Sequence, residues 1–399
     1  MEKRLTITAI AIAIAAVAAS AENFFTTLLG KSEEETAERI ENIWQHFFTP
    51  GDLARYEMDG EKSVYYEAGD RSAFVMDTGS NDVRSEGMSY GMMISVQLDR
   101  REVFDKLWAW SKRHMAYEPG SAWDGYFCWQ CRPDGSRLGG SNASDGEIYY
   151  VTALYLAAER WNEPRYAQEA DTILAKVMNK NGAASGVYNL YNRDNALVTF
   201  VPDHAGYGFT DPSYQLPAFL DKWARCAATD RDFWARAADA ARAHLTASSH
   251  PETGLYPDYS NYDGSAYAWP HAGYDTSRYM FDAIRCPMNV GMDYYLCGKD
   301  RKAQTEAMRR LLRFFKADGY RHGHFALDGT NASGNYSRGM AGANAVGAIA
   351  LAKAEPALAR EYAQRLWDAE PPTGRFRYYE GMVYFLSMLH MSGRFALDF

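Results

Sequence analysis

The chain has 399 residues, a formal net charge of −9 and 47% apolar residues, enough to bury a large core. The acidic balance excludes nucleic acid as a partner, because a phosphate backbone needs a basic footprint. Its one long apolar run, at the N-terminus, is short for a membrane span, so no membrane anchor is expected.

In chain order, the first feature is an export signature. Lys3-Arg4 form a basic region, Leu5 to Ala18 are apolar apart from two Thr, and Ala19-Ser20-Ala21 reads as a cleavage site. Residues 1–21 are therefore expected to be a signal peptide and residues 22–399 one catalytic domain, periplasmic or secreted. No Cys follows the signal, which argues against a lipid anchor. With no linker and no charged tail, no appended binding module is expected; a monomer is expected as well.

Apolar periodicity then predicts twelve helices, at about 32–48, 85–99, 101–116, 144–161, 164–178, 213–227, 229–249, 277–298, 301–317, 339–352, 355–367 and 376–393. Ser32-Glu-Glu-Glu35 and Ser144-Asp-Gly-Glu147 read as capping boxes. Pro251, Pro270 and Pro371 fall in connectors. Links alternate between short (99 to 101, 161 to 164, 227 to 229, 298 to 301, 352 to 355) and long (49–84, 117–143, 179–212, 250–276, 318–338). Short links make antiparallel neighbours, so helical hairpins are expected to close an all-α ring of six inner and six outer helices. Long connectors in a compact domain usually carry function.

Those connectors hold many of the aromatics, which reach 14% with 28 Tyr and 10 Trp. Loop aromatics beside Gly, Asp and Asn are platforms for flat ligands, sugars among them. Trp123, Trp129, Tyr207, Tyr259, Trp269, Tyr378 and Tyr379 are candidates for sugar contact, with packing against a helix as the alternative for each. Trp108, Trp110 and Trp161 follow helical stripes and belong to the core. Cys128-Trp-Gln-Cys131 has redox or metal spacing, but no second such pair accompanies it, and a small partly buried pair is the simpler reading. His322-Gly-His324 has no acid or Cys cluster beside it, so no metal or other cofactor is expected.

Three acids stand at loop–helix junctions. Glu86 lies in Arg84-Ser-Glu-Gly-Met-Ser-Tyr-Gly-Met-Met-Ile94, where apolar neighbours would keep a carboxyl protonated near neutral pH. Helix capping by Ser85 or Glu86 is the competing reading. Asp145 lies in Asn142-Ala-Ser-Asp-Gly-Glu147, inside an apparent capping box. Asp282 lies in Arg278-Tyr-Met-Phe-Asp-Ala-Ile-Arg-Cys-Pro287, three residues before Arg285, where a local ion pair is an equal contender and would help keep Asp282 ionised. In a ring, alternate helices start at one mouth, so the three acids can share a cleft. One protonated and one ionised carboxyl flanking a scissile bond is what acetal hydrolysis needs.

Ser85-Glu-Gly-Met-Ser-Tyr-Gly-Met92, Ser144-Asp-Gly-Glu147, Asp211-Pro-Ser-Tyr214 and Phe281-Asp-Ala-Ile-Arg285 resemble, in this order, the motifs of glycoside hydrolase family 8, over about residues 40–395. The resemblance implies an (α/α)6 barrel and an inverting mechanism. It implies Glu86 as general acid, Asp282 as general base, Asp145 as the residue holding the sugar distorted, and Tyr214 as a partner of the attacking water. Asp211 stands where Asn is usual. The motifs look closest to the xylanases and the reducing-end xylose-releasing oligoxylanases. The latter block their cleft with a His-bearing loop and a Leu-His-Pro kink; the connector here has no Leu-His-Pro, and His322 or His324 is the candidate replacement. The expected function is cleavage of β-1,4-xylosidic bonds in xylan or xylo-oligosaccharides, with Arg285, Trp123, Tyr207, Tyr378, Tyr379, His322 and His324 binding the substrate. Exo or endo action is left open. The alternatives are a β-1,4-glucanase of the same family and a non-catalytic carbohydrate-binding protein.

Overall fold

The computed structural model of the chain describes residues 22–69 and 71–399; the expected signal segment, 1–21, lies outside them. The helices are α1 (Phe24–Leu29), α2 (Glu33–Phe48), α3 (Ser85–Gln97), α4 (Arg101–His114), α5 (Ser144–Arg160), α6 (Pro164–Val177), α7 (Gly182–Ser185), α8 (Pro217–Cys226), α9 (Arg231–Ala247), α10 (Cys286–Leu296), α11 (Arg301–Asp318), α12 (Arg338–Gly347), α13 (Pro356–Asp368) and α14 (Arg377–Met391).

Six of these close a ring. α3 packs on α5, α5 on α8, α8 on α10, α10 on α12, α12 on α14, and α14 returns to α3. Each has an outer partner: α4, α6, α9, α11, α13 and α2 respectively. This is the (α/α)6 barrel. The burial pattern explains the layering. α5 is buried continuously from Ser144 to Ala157, as a helix enclosed on all sides must be. α6 buries only Tyr166, Ala170, Ile173, Leu174 and Val177, one face of a surface helix.

All twelve expected helices are present, and their ends differ where proline decides. Helix 277–298 begins at Cys286, after a 3-10 turn at Ala283–Arg285, because Pro287 lacks an N–H and fits only a first turn. Helix 213–227 likewise starts at Pro217, after a separate 3-10 turn at Pro212–Tyr214. Ser32 makes its capping box with Glu35. Ser144 does not: it is the first residue of α5, its hydroxyl donates to the Phe200 carbonyl at 3.0 Å, and Ala143 is the uncapped flank. Glu147 instead turns outward from the helix axis, accepting from Phe127 N at 2.9 Å and Asn142 Nδ2 at 2.7 Å, which pins the 117–143 connector to α5.

The connectors also contain two small antiparallel sheets absent from the expectation. β1 (Tyr65–Glu67) pairs with β2 (Ala73–Val75), and β3 (Val83–Arg84) with β4 (Gln130–Cys131). In the second, Arg84 stands opposite Gln130, and Ser85 N donates to the Trp129 carbonyl at 3.0 Å. The first residue of α3 is thus held by the neighbouring connector. Cys128 and Cys131 are both buried free thiols. Among the described residues no helix is long and apolar enough to cross a membrane.

Candidate active site

The ring brings the starts of α3, α5, α8, α10 and α14 to one point, occupied by the guanidinium of Arg285. Its Nη1 donates to Glu86 Oε2 at 2.9 Å, Asp145 Oδ2 at 2.8 Å and Tyr90 Oη at 2.9 Å. Its Nη2 donates to Ser213 Oγ at 2.7 Å and Asp282 Oδ1 at 2.9 Å, and lies 3.6 Å from Asp211 Oδ2. Four carboxylates therefore surround one buried cation. Glu86 and Asp145 also lie in the first turns of α3 and α5, where the helix dipole favours negative charge.

The acids are not equivalent. Burial pushes the Glu86 carboxyl up to about 7, with the Asp145 and Asp282 charges adding to the shift; Arg285 and the Tyr378 hydroxyl, which donates to Oε1 at 2.8 Å, oppose it. Burial also raises Asp282 above its usual range, against the pull of Arg285. The ion pair expected to keep Asp282 ionised is present, but burial outweighs it. Asp211 is held well above the ordinary carboxylate range by burial and the Asp282 charge. One of its oxygens accepts from Ser213 N at 2.6 Å and caps the 3-10 turn.

Two glycines are dictated by this crowding. A Cβ on Gly87 would stand 2.7 Å from the Tyr378 hydroxyl, and one on Gly146 would stand 2.7 Å from Ser85 Oγ. The Gly after Glu86 and the Gly after Asp145 therefore allow α14 and α3 to approach the acids.

The expected residues divide into two sets. Glu86, Asp145, Asp282, Arg285, Tyr214, Tyr378 and Tyr379 meet at the cluster: Arg285 stands 5.4 Å from the Tyr214 ring centroid and 6.0 Å from that of Tyr379, whose hydroxyl donates to the Phe281 carbonyl at 2.9 Å. Arg285 is 3% exposed and lies behind the acids rather than on the cleft surface, and Tyr378 is likewise buried against Glu86. Trp123 packs on Tyr117 and Tyr126, and Tyr207 stacks on Tyr188 at 3.7 Å. Neither is stacked on or hydrogen-bonded to the cluster. His322 pairs through Nδ1 with Asp318 at 2.8 Å, a local contact four residues back in the chain. His324 packs edge-on against Phe281 at 5.0 Å, one residue from Asp282.

Other residues join the site in roles that their motifs do not announce. Phe281 is 46% exposed beside Asp282. Phe200 continues a wall from Tyr214 to Tyr259 and Trp269. Tyr90 was legible as motif but not as a partner of Arg285. Asp258 carries no local signal among the aromatics of Tyr256-Pro-Asp-Tyr259, because its partners are backbone amides more than twenty residues away.

The family model described as Glycosyl hydrolases family 8 matches residues 62–393. A reducing end xylose-releasing exo-oligoxylanase of Halalkalibacterium halodurans is 35% identical, over 93% of this chain and 92% of its own. A protein of the same description from Bifidobacterium adolescentis is also 35% identical, over 92% of this chain and 95% of its own. Among solved structures, a GH8 xylobiose complex from Teredinibacter turnerae superposes with a TM-score of 0.86 at 39% identity, covering 94% of this chain and 97% of that one.

Proposed function

The chain belongs to glycosyl hydrolases family 8, and from that premise we propose an inverting hydrolase that cleaves β-1,4-xylosidic bonds in xylo-oligosaccharides or xylan. The observation that carries the residue roles is the guanidinium standing between Glu86 and Asp282, 2.9 Å from each. The two carboxylates bind different nitrogens of that guanidinium, Nη1 and Nη2, and so converge on one place. An inverting pair acts across a gap of roughly 6.5–9.5 Å that admits a water behind the sugar.

Glu86, pushed to about 7, keeps its proton at slightly acid pH and gives it to the leaving oxygen as the glycosidic bond breaks. Asp282 takes a proton from water as its oxygen bonds to the anomeric carbon from the opposite face. Tyr214 stands beside that water, and Asp145 holds the reacting sugar. The aromatic wall from Tyr214 to Trp269 supplies flat apolar surface for sugar rings. Lys3-Arg4, the apolar run and Ala19-Ser20-Ala21 support export from the cytoplasm.

We further read the enzyme as releasing xylose from the reducing end. The 318–338 connector bridges Tyr279 to Phe325 and sets His324 on Phe281, so it flanks the base side of the cleft. Unreduced xylotriose is expected to yield xylose and xylobiose, while borohydride-reduced xylotriose stays intact; equal rates on the two would overturn the exo reading. Proton NMR of the first product is expected to show the α anomer, and β would exclude the mechanism.

The pH profile of kcat/KM should be bell-shaped. Its alkaline limb falls near 7 as Glu86 loses its proton, and its acid limb lies above the usual Asp range as Asp282 gains one. Tyr378→Phe removes a donor that favours ionised Glu86, so the alkaline limb should move up by about one pH unit with the acid limb unchanged. A downward shift of the alkaline limb would contradict the assignment of Glu86 as the acid.

A further inference from the structure

Asp258 lies in the Tyr256-Pro-Asp-Tyr259 turn and is 0% exposed. Its carboxylate accepts four consecutive backbone N–H groups: Oδ1 from Met280 at 3.2 Å, Asp282 at 3.1 Å and Ala283 at 3.0 Å, and Oδ2 from Phe281 at 3.2 Å. No Lys, Arg or His pairs with it among the described residues. Residues 280–282 precede the 3-10 turn and Ala283 is its first residue, so no helix or strand of its own satisfies these amides. The Asp258 amide in turn donates to the Arg278 carbonyl at 2.8 Å, tying the turn to the N-terminal side of the segment.

We propose that Asp258 is the positioning residue for the general base: its carboxylate grips the backbone of residues 280–283 and so sets the depth and direction at which Asp282 faces the cleft. The inference rests on the reading of Asp282 as base. Four donors converging on one group demand an acceptor-only side chain. A carboxylate qualifies, whereas an amide would point its own NH2 at one of the donors. Burial and the Asp282 charge push the Asp258 carboxyl up to about 7 while the backbone amides pull it down, so the grip strengthens as the pH rises through that value: bonds to an ionised acceptor are about twice as strong as neutral ones. A segment whose amides are all held by one side chain, rather than by a ladder, moves when that side chain changes. A displacement of about 1 Å at a reacting group costs on the order of a hundredfold in rate.

The test is Asp258→Asn in the full chain, measured on xylotriose and on β-xylobiosyl fluoride, whose leaving group needs little help from an acid. The expected result is a fall in kcat of about a hundredfold on both substrates by the same factor, with KM within about twofold of wild type. Wild-type kcat on either substrate would overturn the proposal. So would a loss on xylotriose that the fluoride restores, which would place the fault at Glu86, or a loss carried by KM. Should Asp258→Asn not fold, Asp258→Glu keeps the charge but shifts the grip by a methylene, and an unchanged kcat there overturns the proposal as well. In the wild type the amides of Met280 to Ala283 are expected to exchange with deuterium at least about tenfold slower than the exposed Asp275 amide, and equal rates would remove the grip itself. Asp282→Asn is run alongside: if it retains the wild-type rate, the base assignment falls, whereas an unaffected Asp258→Asn ends only the positioning role.

Discussion

Glu86→Gln is expected to lose about a thousandfold in kcat on xylotriose while folding normally. Glutamine has the shape of glutamate, its carbonyl oxygen can still accept from Arg285, and its amide can donate to the Tyr378 hydroxyl. What it cannot do is hand a proton to the departing sugar oxygen, a poor leaving group as an alkoxide. The loss should therefore depend on the leaving group. On β-xylobiosyl fluoride the variant should keep most of its rate, because fluoride departs with little protonation. A variant that retains more than about a tenth of the wild-type rate on xylotriose, or that loses both substrates equally, would remove Glu86 from the acid role. Equal loss is the outcome expected for changes on the base side, so the two substrates separate the two carboxyls.

Arg285→Met should be the most damaging single change to stability. It leaves Glu86, Asp145, Asp211 and Asp282 around an uncharged side chain. Breaking a buried ion cluster by removing one partner costs about 3–5 kcal/mol, because the remaining charges are uncompensated. The acids can escape that cost by binding protons, which fixes the sign of the pH dependence. Arg285 lowers the Glu86 and Asp282 carboxyls, so its loss raises them further above their unfolded values. An acid whose folded-state pKa is raised keeps its stability at low pH and loses it as pH rises through that value. The deficit relative to wild type should therefore be small near pH 5 and grow toward pH 8, read as midpoints of urea unfolding at each pH. A deficit that shrinks as pH rises would mean the acids do not depend on Arg285. Activity should fall with it, since the same guanidinium orients both carboxyls.

Much of this protein can be read locally. The twelve ring helices follow from apolar spacing and from punctuation such as the Ser32 capping box, because a helix is built from contacts three and four residues apart. The short links told which helices pair, and the order of the motifs carried the acids. The errors also have local causes. Pro287 and Pro217 mark the true starts of α10 and α8, where a tolerant reading of periodicity ran on upstream. The Ser144 box matched the pattern, but the Phe200 carbonyl and the Phe127 amide compete for its two side chains. Competition from groups twenty and fifty-six residues away leaves no trace in a four-residue motif.

Which aromatics meet the acids was not readable. Tyr378 and Trp123 look alike in sequence, each beside polar or small residues, yet one donates to Glu86 and the other packs on Tyr117. The difference arises only when α14 closes the ring onto α3. Arg285 was legible as a partner of Asp282 three residues away, not as the hub of four acids from four separate segments of the chain. Asp258 is the extreme case, since its partners are backbone amides that any sequence would supply. Sequence alone determined the helices, their pairing and the identity of the acids, because those depend on short-range periodicity and on motifs within single segments. Only the tertiary structure decided which charges share one guanidinium, which carboxyl is driven to about 7 and what grips the Asp282 segment. Burial and long-range convergence set those properties, and both exist only once the ring has closed.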